Sequence, residues 1–252
     1  MSKKRVSKTN TKQIVIAILL FVLLLLGMRL GEELGWPQLL NGLLGSENDV
    51  SYASSLESIP PYSGAPYCII NNNQPNFTEE EKAITSSYEY YSDLDYLGRC
   101  GPATACLSYD LMPTEPRGRI GNIKPSGWHT IRYDDVIKDK YLYNRCHLIG
   151  YQLAGENANK KNLITGTRYL NIVGMLEYEN LVANYIKDHP NALVLYRVTP
   201  IFEGSNLVAS GVEMEGYSVL DRGRDICFHV FVYNIQPGIE IDYATGDSWR
   251  AA

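Results

Sequence analysis

Residues suited to one kind of chemistry crowd into the stretch from Tyr141 to Asn180, which reads YLYNRCHLIGYQLAGENANKKNLITGTRYLNIVGMLEYEN. Arg145 stands two residues before His147, Asn162 and Asn171 follow nine apart, and Glu179 comes eight after Asn171. A neutral imidazole takes a proton from water near neutral pH without needing burial, because its ordinary pKa lies at about 6.5. Carboxamide and carboxylate oxygens suit a hard divalent cation, and a guanidinium suits a phosphate. Together these residue types fit attack of water on a phosphodiester, with His147 as base, Arg145 on the phosphate and an oxygen-ligated cation beside them.

The elements that must position them follow from spacing. His147 comes after the short strand YLYN, which is expected to leave its ring on the loop side of a cleft. If the chain is extended there, Arg145 and His147 leave the same face and Cys146 leaves the other, which argues against a Cys146–His147 thiol dyad. Val173, Leu176, Leu181, Val182, Tyr185 and Ile186 mark an apolar stripe at helical spacing, so a helix is expected over Leu170–Asp188, with Pro190 just past its end. Asn171 then sits in the first turn, and Glu179 lies about 80° round the helix and about 12 Å along it. Two side chains so separated do not both bind one ion directly. Asn171 is therefore expected to be the metal ligand, and Glu179 to act through water of the cation's hydration shell.

Downstream the pattern turns to strands. Leu193–Thr199, Leu207–Met214 and Ile226–Tyr233 alternate or run apolar, with Glu203-Gly204-Ser205-Asn206 as a turn, and predict an antiparallel sheet. In the last strand Ile226, Phe228, Val230 and Val232 take one face while Cys227, His229, Phe231 and Tyr233 take the other, so His229 reads as a sheet residue without a catalytic role. His129 and His189 are no stronger as catalysts, and Asp221–Arg224 is a hydrophilic turn. Upstream, Asn71, Asn72, Asn73 and Pro75 mark a loop, and Thr78 before three glutamates marks a helix start with an N-cap.

Nineteen tyrosines against five phenylalanines suit half-buried strands as well as a wet groove. From Arg117 to Arg168 ten basic residues face four acidic ones, a local charge of +6 in a chain of net charge −5, which favours a polyanion as partner. Five cysteines permit disulfides, Cys100–Cys106 among them, and leave at least one thiol unpaired. There is no CxxC or HxxxH spacing to signal a zinc site.

At the N-terminus Lys3, Lys4, Arg5, Lys8 and Lys12 precede fifteen uncharged residues, Ile14–Met28. Fifteen helical residues span about 22 Å, short of the roughly 30 Å hydrocarbon core. Either Arg29 snorkels and Leu30 extends the span, or the segment is a cleaved signal peptide. The absence of a small-x-small site after it favours an uncleaved anchor over residues 1–30, with everything beyond exported. Residues 31–60 read as a stalk, and the globular domain is expected over 61–252.

The same stretch resembles the bacterial DNA/RNA non-specific endonuclease family of the ββα-metal, or His-Me finger, superfamily, and most closely its DNA-entry nuclease branch. The family's Asp-Arg-Gly-His signature is matched by Asn144-Arg145-Cys146-His147, with LGRCGPATACLSYDLMPTE and IGNIKPSGWH extending the likeness at lower specificity. The resemblance implies an α+β ββα-metal nuclease, a central antiparallel sheet flanked by helices, preceded here by the membrane-spanning helix. It implies magnesium, with manganese as a substitute, held at Asn171, and Glu179 touching it through water. It implies DNA, and RNA as well, as substrate, with Asn162 orienting the site, Arg168 contacting the backbone, and 5′-phosphate and 3′-hydroxyl products. Asn144 stands for an aspartate and Cys146 for a glycine, and these departures leave a surface nucleic-acid receptor that binds without cutting as the alternative.

Overall fold

The chain is described by a computed structural model over residues 50–251. In chain order it forms β1 (Ser51–Ala53), β2 (Tyr67–Ile70), the short helix α1 (Glu79–Lys82), β3 (Tyr88–Tyr91), β4 (Ala103–Leu107), β5 (Tyr143–His147), α2 (Tyr151–Ala154) and β6 (Leu163–Thr167). A π-helical run, Leu170–Met175, then leads without a break into α3 (Leu176–Asp188). β7 (Val194–Ile201), β8 (Gly211–Ser218), β9 (Cys227–Tyr233), β10 (Ile239–Ile241) and β11 (Ser248–Arg250) complete the chain.

Seven strands make one sheet in the order β1-β2-β9-β8-β7-β4-β3, antiparallel throughout except for the parallel pair β1 and β2. Strand alternation sets its two faces. Ala103, Ala105 and Leu107 of β4, Val194, Tyr196 and Val198 of β7, Val212 and Met214 of β8 and Phe228, Val230 and Val232 of β9 turn to one side. There they meet Met175, Tyr178, Val182, Ala183 and Ile186, which fix the π-helical run and α3 against the sheet. Each large apolar side chain so buried contributes roughly 1.5–3 kcal/mol of transfer free energy, so the helix that carries Asn171 and Glu179 is a rigid mount. Cys68 and Ile70 of β2, Phe231 and Tyr233 of β9, Cys106 and Leu195 turn to the other side, where Leu56, Ile59 and Tyr62 pack on the first four and Phe77 on the last two. β5 and β6 form a separate antiparallel hairpin in which His147 pairs with Leu163.

The antiparallel sheet and the single long helix are as the sequence predicts, and several details differ. β8 runs Gly211–Ser218 rather than 207–214, because Leu207 and Val208 donate their N–H groups to Ala244 and Tyr243 instead of joining the ladder. On the helix Val173 and Leu181 are exposed, while Gly174 and Tyr178 meet the core. The wider π turn changes the rotational phase of that face. Gly174 is what lets the turn sit down, since a Cβ there would lie 2.2 Å from Cγ1 of Val232. The predicted N-cap appears, as part of a capping box, with Glu81 N–H donating to Thr78 Oγ1 at 3.2 Å and Thr78 N–H donating to Glu81 Oε2 at 2.7 Å. All five cysteines are free, and Cys100 and Cys106 lie on opposite faces of the sheet, which removes the Cys100–Cys106 bridge.

Among the described residues the folded unit already takes in β1, ahead of the Pro61 expected from the sequence, because β1 is paired in the sheet. The membrane segment expected at 14–28 and the stalk up to residue 49 lie outside the described residues. Among the described residues no helix is long and apolar enough to cross a membrane.

Candidate active site

His147 ends β5 instead of following it, and it is buried, with 5% of its surface exposed. Its Nε2 lies 2.9 Å from the carbonyl oxygen of Asn157, and its Nδ1 lies 3.1 Å from Nη2 of Arg117. A carbonyl only accepts and a guanidinium only donates, so Nε2 carries the proton and Nδ1 keeps a lone pair. Burial, seconded by the charge of Arg117, pushes the imidazole pKa down to about 4 against the opposing pull of the Asn157 hydrogen bond. The ring is therefore a neutral acceptor with a fixed tautomer. Cys146 turns the other way, fully buried in the main core, and burial drives its thiol pKa far up, so no thiol dyad forms.

Arg145 leaves the same face as His147, as strand alternation requires, and then diverges from it. Its Nη2 donates to Gly121 O at 2.8 Å, its Nε donates to Ile123 O, and its guanidinium lies 4.0 Å over the ring of Trp128. Those donors are committed to the loop between β4 and β5, so the guanidinium expected on the phosphate is here a tether for that loop. The same loop delivers Arg117 to His147. Sequence reasoning counted Arg117 within the basic stretch and gave it no role. The carbonyl of Asn157 carries no side-chain signal at all.

Asn171 lies in the π-helical run and donates from Nδ2 to Asn144 Oδ1 at 3.0 Å, an oxygen that also faces Nη1 of Arg168 at 3.3 Å. Arg168 is further paired with Asp139. This leaves Oδ1 of Asn171 with no hydrogen-bond partner among the described residues, a neutral hard oxygen suited to a cation that keeps much of its water. Glu179 is 8% exposed and packs against Gly150, where a Cβ would lie 2.6 Å from Oε2. Burial pushes its carboxyl pKa up to about 7, opposed by hydrogen bonding from Gln152 and by the charge of Arg117. A cation nearby would favour the ionised carboxylate, the proton leaving to water, so the donor set fits a hydrated divalent cation.

Asn162 is fully buried, and its carboxamide takes both backbone groups of Ile149, accepting from N–H at 2.8 Å and donating to the carbonyl at 3.0 Å. It fixes the chain just beyond His147 without facing an open cleft. The structure thus brings His147, Arg117 and Asn157 together, gathers Asn144, Arg168 and Asn171 around one oxygen, and sets Glu179 within the field of the Arg117 that binds His147. Arg145 and Asn162 stand behind these groups as supports. His129 is exposed against Thr245 O and His189 against Tyr185 O, both away from this cluster.

The profile of the family described as DNA/RNA non-specific endonuclease matches residues 78–219. A deoxyribonuclease from Streptococcus dysgalactiae subsp. equisimilis is 31% identical in an alignment of 206 positions that covers 66% of this chain and 62% of that protein. The chain thus spans somewhat under two thirds of that relative's length. NucA from Streptococcus agalactiae, solved with magnesium ion bound, superposes with a TM-score of 0.64 at 27% identity, covering 73% of this chain and 88% of that one. Sda1 nuclease, solved with bound zinc ion, shares the fold with a TM-score of 0.62 at 24% identity, covering 74% and 97%. The chain belongs to the DNA/RNA non-specific endonuclease family.

Proposed function

We propose that this chain is a divalent-metal-dependent endonuclease that hydrolyses the backbone of DNA, and of RNA as well, with His147 as general base. The observation that carries this reading is the fixed tautomer of His147, whose Nδ1 lone pair has a guanidinium beside it and whose Nε2–H is anchored on Asn157 O. An incoming phosphodiester is anionic and offers Arg117 a stronger, charge-assisted partner than a neutral ring nitrogen. Arg117 moves onto the phosphoryl oxygens and frees Nδ1 to take a proton from the attacking water. The ring, now cationic, keeps its hydrogen bond to Asn157 and its orientation.

Arg145 holds the loop that carries Arg117, Asn162 fixes the backbone after His147, and Arg168 meets the backbone of the bound strand. Asn171 would hold a divalent cation, with Glu179 beside its hydration shell, and that ion would supply charge stabilisation for the leaving 3′ oxygen. Magnesium is the proposed ion, with manganese as a substitute, supported by the magnesium found in NucA. DNA as substrate is supported by the deoxyribonuclease relative. Among the described residues no element is placed to read base edges, so backbone contacts dominate and sequence preference is slight. The basic cluster followed by fifteen uncharged residues supports export, with the nuclease outside the cell membrane on a single anchor, or released if that segment is cleaved.

The test is incubation of the full-length protein with plasmid and Mg²⁺, with and without chelator. Nicked and linear products that vanish with chelator are expected. An intact plasmid retained by the protein at low salt would replace the nuclease with a receptor that binds without cutting.

A further inference from the structure

A polar stripe crosses the apolar face of the sheet that is turned away from α3. Glu213 and Glu215 of β8 are two residues apart and so share that face, and His229 of β9 is the register partner of Glu215. The three side chains are buried, and one ligand atom from each lies within 4.8 Å of the others. His229 Nε2 is 2.6 Å from Glu213 Oε1, while its Nδ1 donates to the carbonyl of Gln74 at 2.9 Å, which points Nε2 at the carboxylates. Glu215 is oriented by Asn76 N–H at 2.6 Å on one oxygen and by Arg197 Nε at 2.7 Å on the other. Each carboxylate oxygen has two lone pairs, so these contacts leave acceptor capacity.

We propose that Glu213, Glu215 and His229 form a divalent-cation site of the zinc class, separate from the cluster around His147 and Asn171. Three features point there. One imidazole and two carboxylates are a donor set zinc accepts, with bonds of about 2.1 Å that place tetrahedral ligand atoms about 3.4 Å apart, inside the observed spread. Each of the two best-buried ligands also carries an outer partner that fixes it, Gln74 O on His229 and Arg197 with Asn76 N–H on Glu215, as metal ligands do.

Charge is the second feature. Glu81, Glu213 and Glu215 face one guanidinium, since Arg197 also reaches Glu81 at 3.2 Å. With a neutral imidazole the group holds two uncompensated negative charges in a buried setting; a proton on His229 offsets one of them and a divalent cation offsets both. Access is the third. A cavity of about 280 Å³, with Ser55, Glu57, Asn71 and Asn76 in its walls, reaches Glu213 and His229. The zinc-finger spacings missing from the sequence are no obstacle, because strand register, not local spacing, brings these ligands together.

The site holds the segment Asn73–Glu81 to the sheet, so a bound cation stabilises the fold whether or not the nuclease reading stands. The full-length protein, stripped with chelator and dialysed against zinc, is analysed for bound metal and for its thermal unfolding midpoint. One retained zinc per chain and a raised midpoint are expected, both kept in Asn171→Ala. Glu213→Gln, which preserves shape, and His229→Gln should each bind zinc at least tenfold more weakly and lose the rise. Wild-type protein that retains no zinc overturns the proposal even if a variant fails to fold, and so does zinc binding that both substitutions leave unchanged.

Discussion

His147 is held neutral by position, since its partners are a carbonyl and a guanidinium and little water reaches it. Replacing it with alanine should lower plasmid cleavage by about 10²–10⁴-fold, the usual worth of a general base, while DNA stays bound at low salt. Because its pKa is pushed down to about 4, the acid limb of kcat/KM should fall well below the ordinary histidine value of about 6.5. A limb at the ordinary value would mean that the ring of His147 is not buried in the free enzyme. Asn171→Ala should raise the Mg²⁺ concentration needed for half-maximal cleavage before it lowers the maximal rate. At this scale the sequence was legible where a side chain acts alone. His147, Asn171 and Glu179 can be singled out as candidates by type and spacing. The diversion of Arg145 onto Gly121 and Ile123, and the part played by a backbone carbonyl, depend on a loop whose path no spacing encodes.

Among the elements, the π-helical run decides where Asn171 stands. Alternation and 3.6-residue periodicity revealed the strands and the helix, but a π turn differs from an α turn by one residue and leaves no periodic trace, so Val173 read as core although Gly174 makes the contact. Gly174→Val should collide with Val232 and destabilise the fold by about 1–3 kcal/mol, seen as a lower denaturation midpoint, and should weaken metal dependence by shifting Asn171. The shift of β8 has a similar origin. Leu207 and Val208 are apolar enough for a strand, yet their N–H groups are claimed by residues 243 and 244, far along the chain.

Across the whole molecule, two buried groups tilt stability with pH in opposite senses. His147 is protonated more readily unfolded than folded, so between about 6.5 and about 4 its contribution is lost as pH falls. Glu179, with its folded pKa pushed up to about 7, ionises first in the unfolded chain, so its contribution is lost as pH rises from its ordinary value of 4.5 through 7. Thermal scans of Glu179→Gln should therefore lack the decline that the wild type shows toward neutral pH, leaving only the acid-side loss.

The hairpin and helix bearing the catalytic candidates are contiguous in sequence, from Tyr143 to Asp188, whereas the sheet beneath them is stitched from both ends, with Tyr67 opposite Val232. During synthesis β2, paired on one edge with the short β1, waits for its antiparallel partner until the last long strand leaves the ribosome, and such distant pairings close slowly. Activity should accordingly appear only late in translation, and a nascent chain halted before Cys227 should show no cleavage, because its working parts would have nothing to stand on.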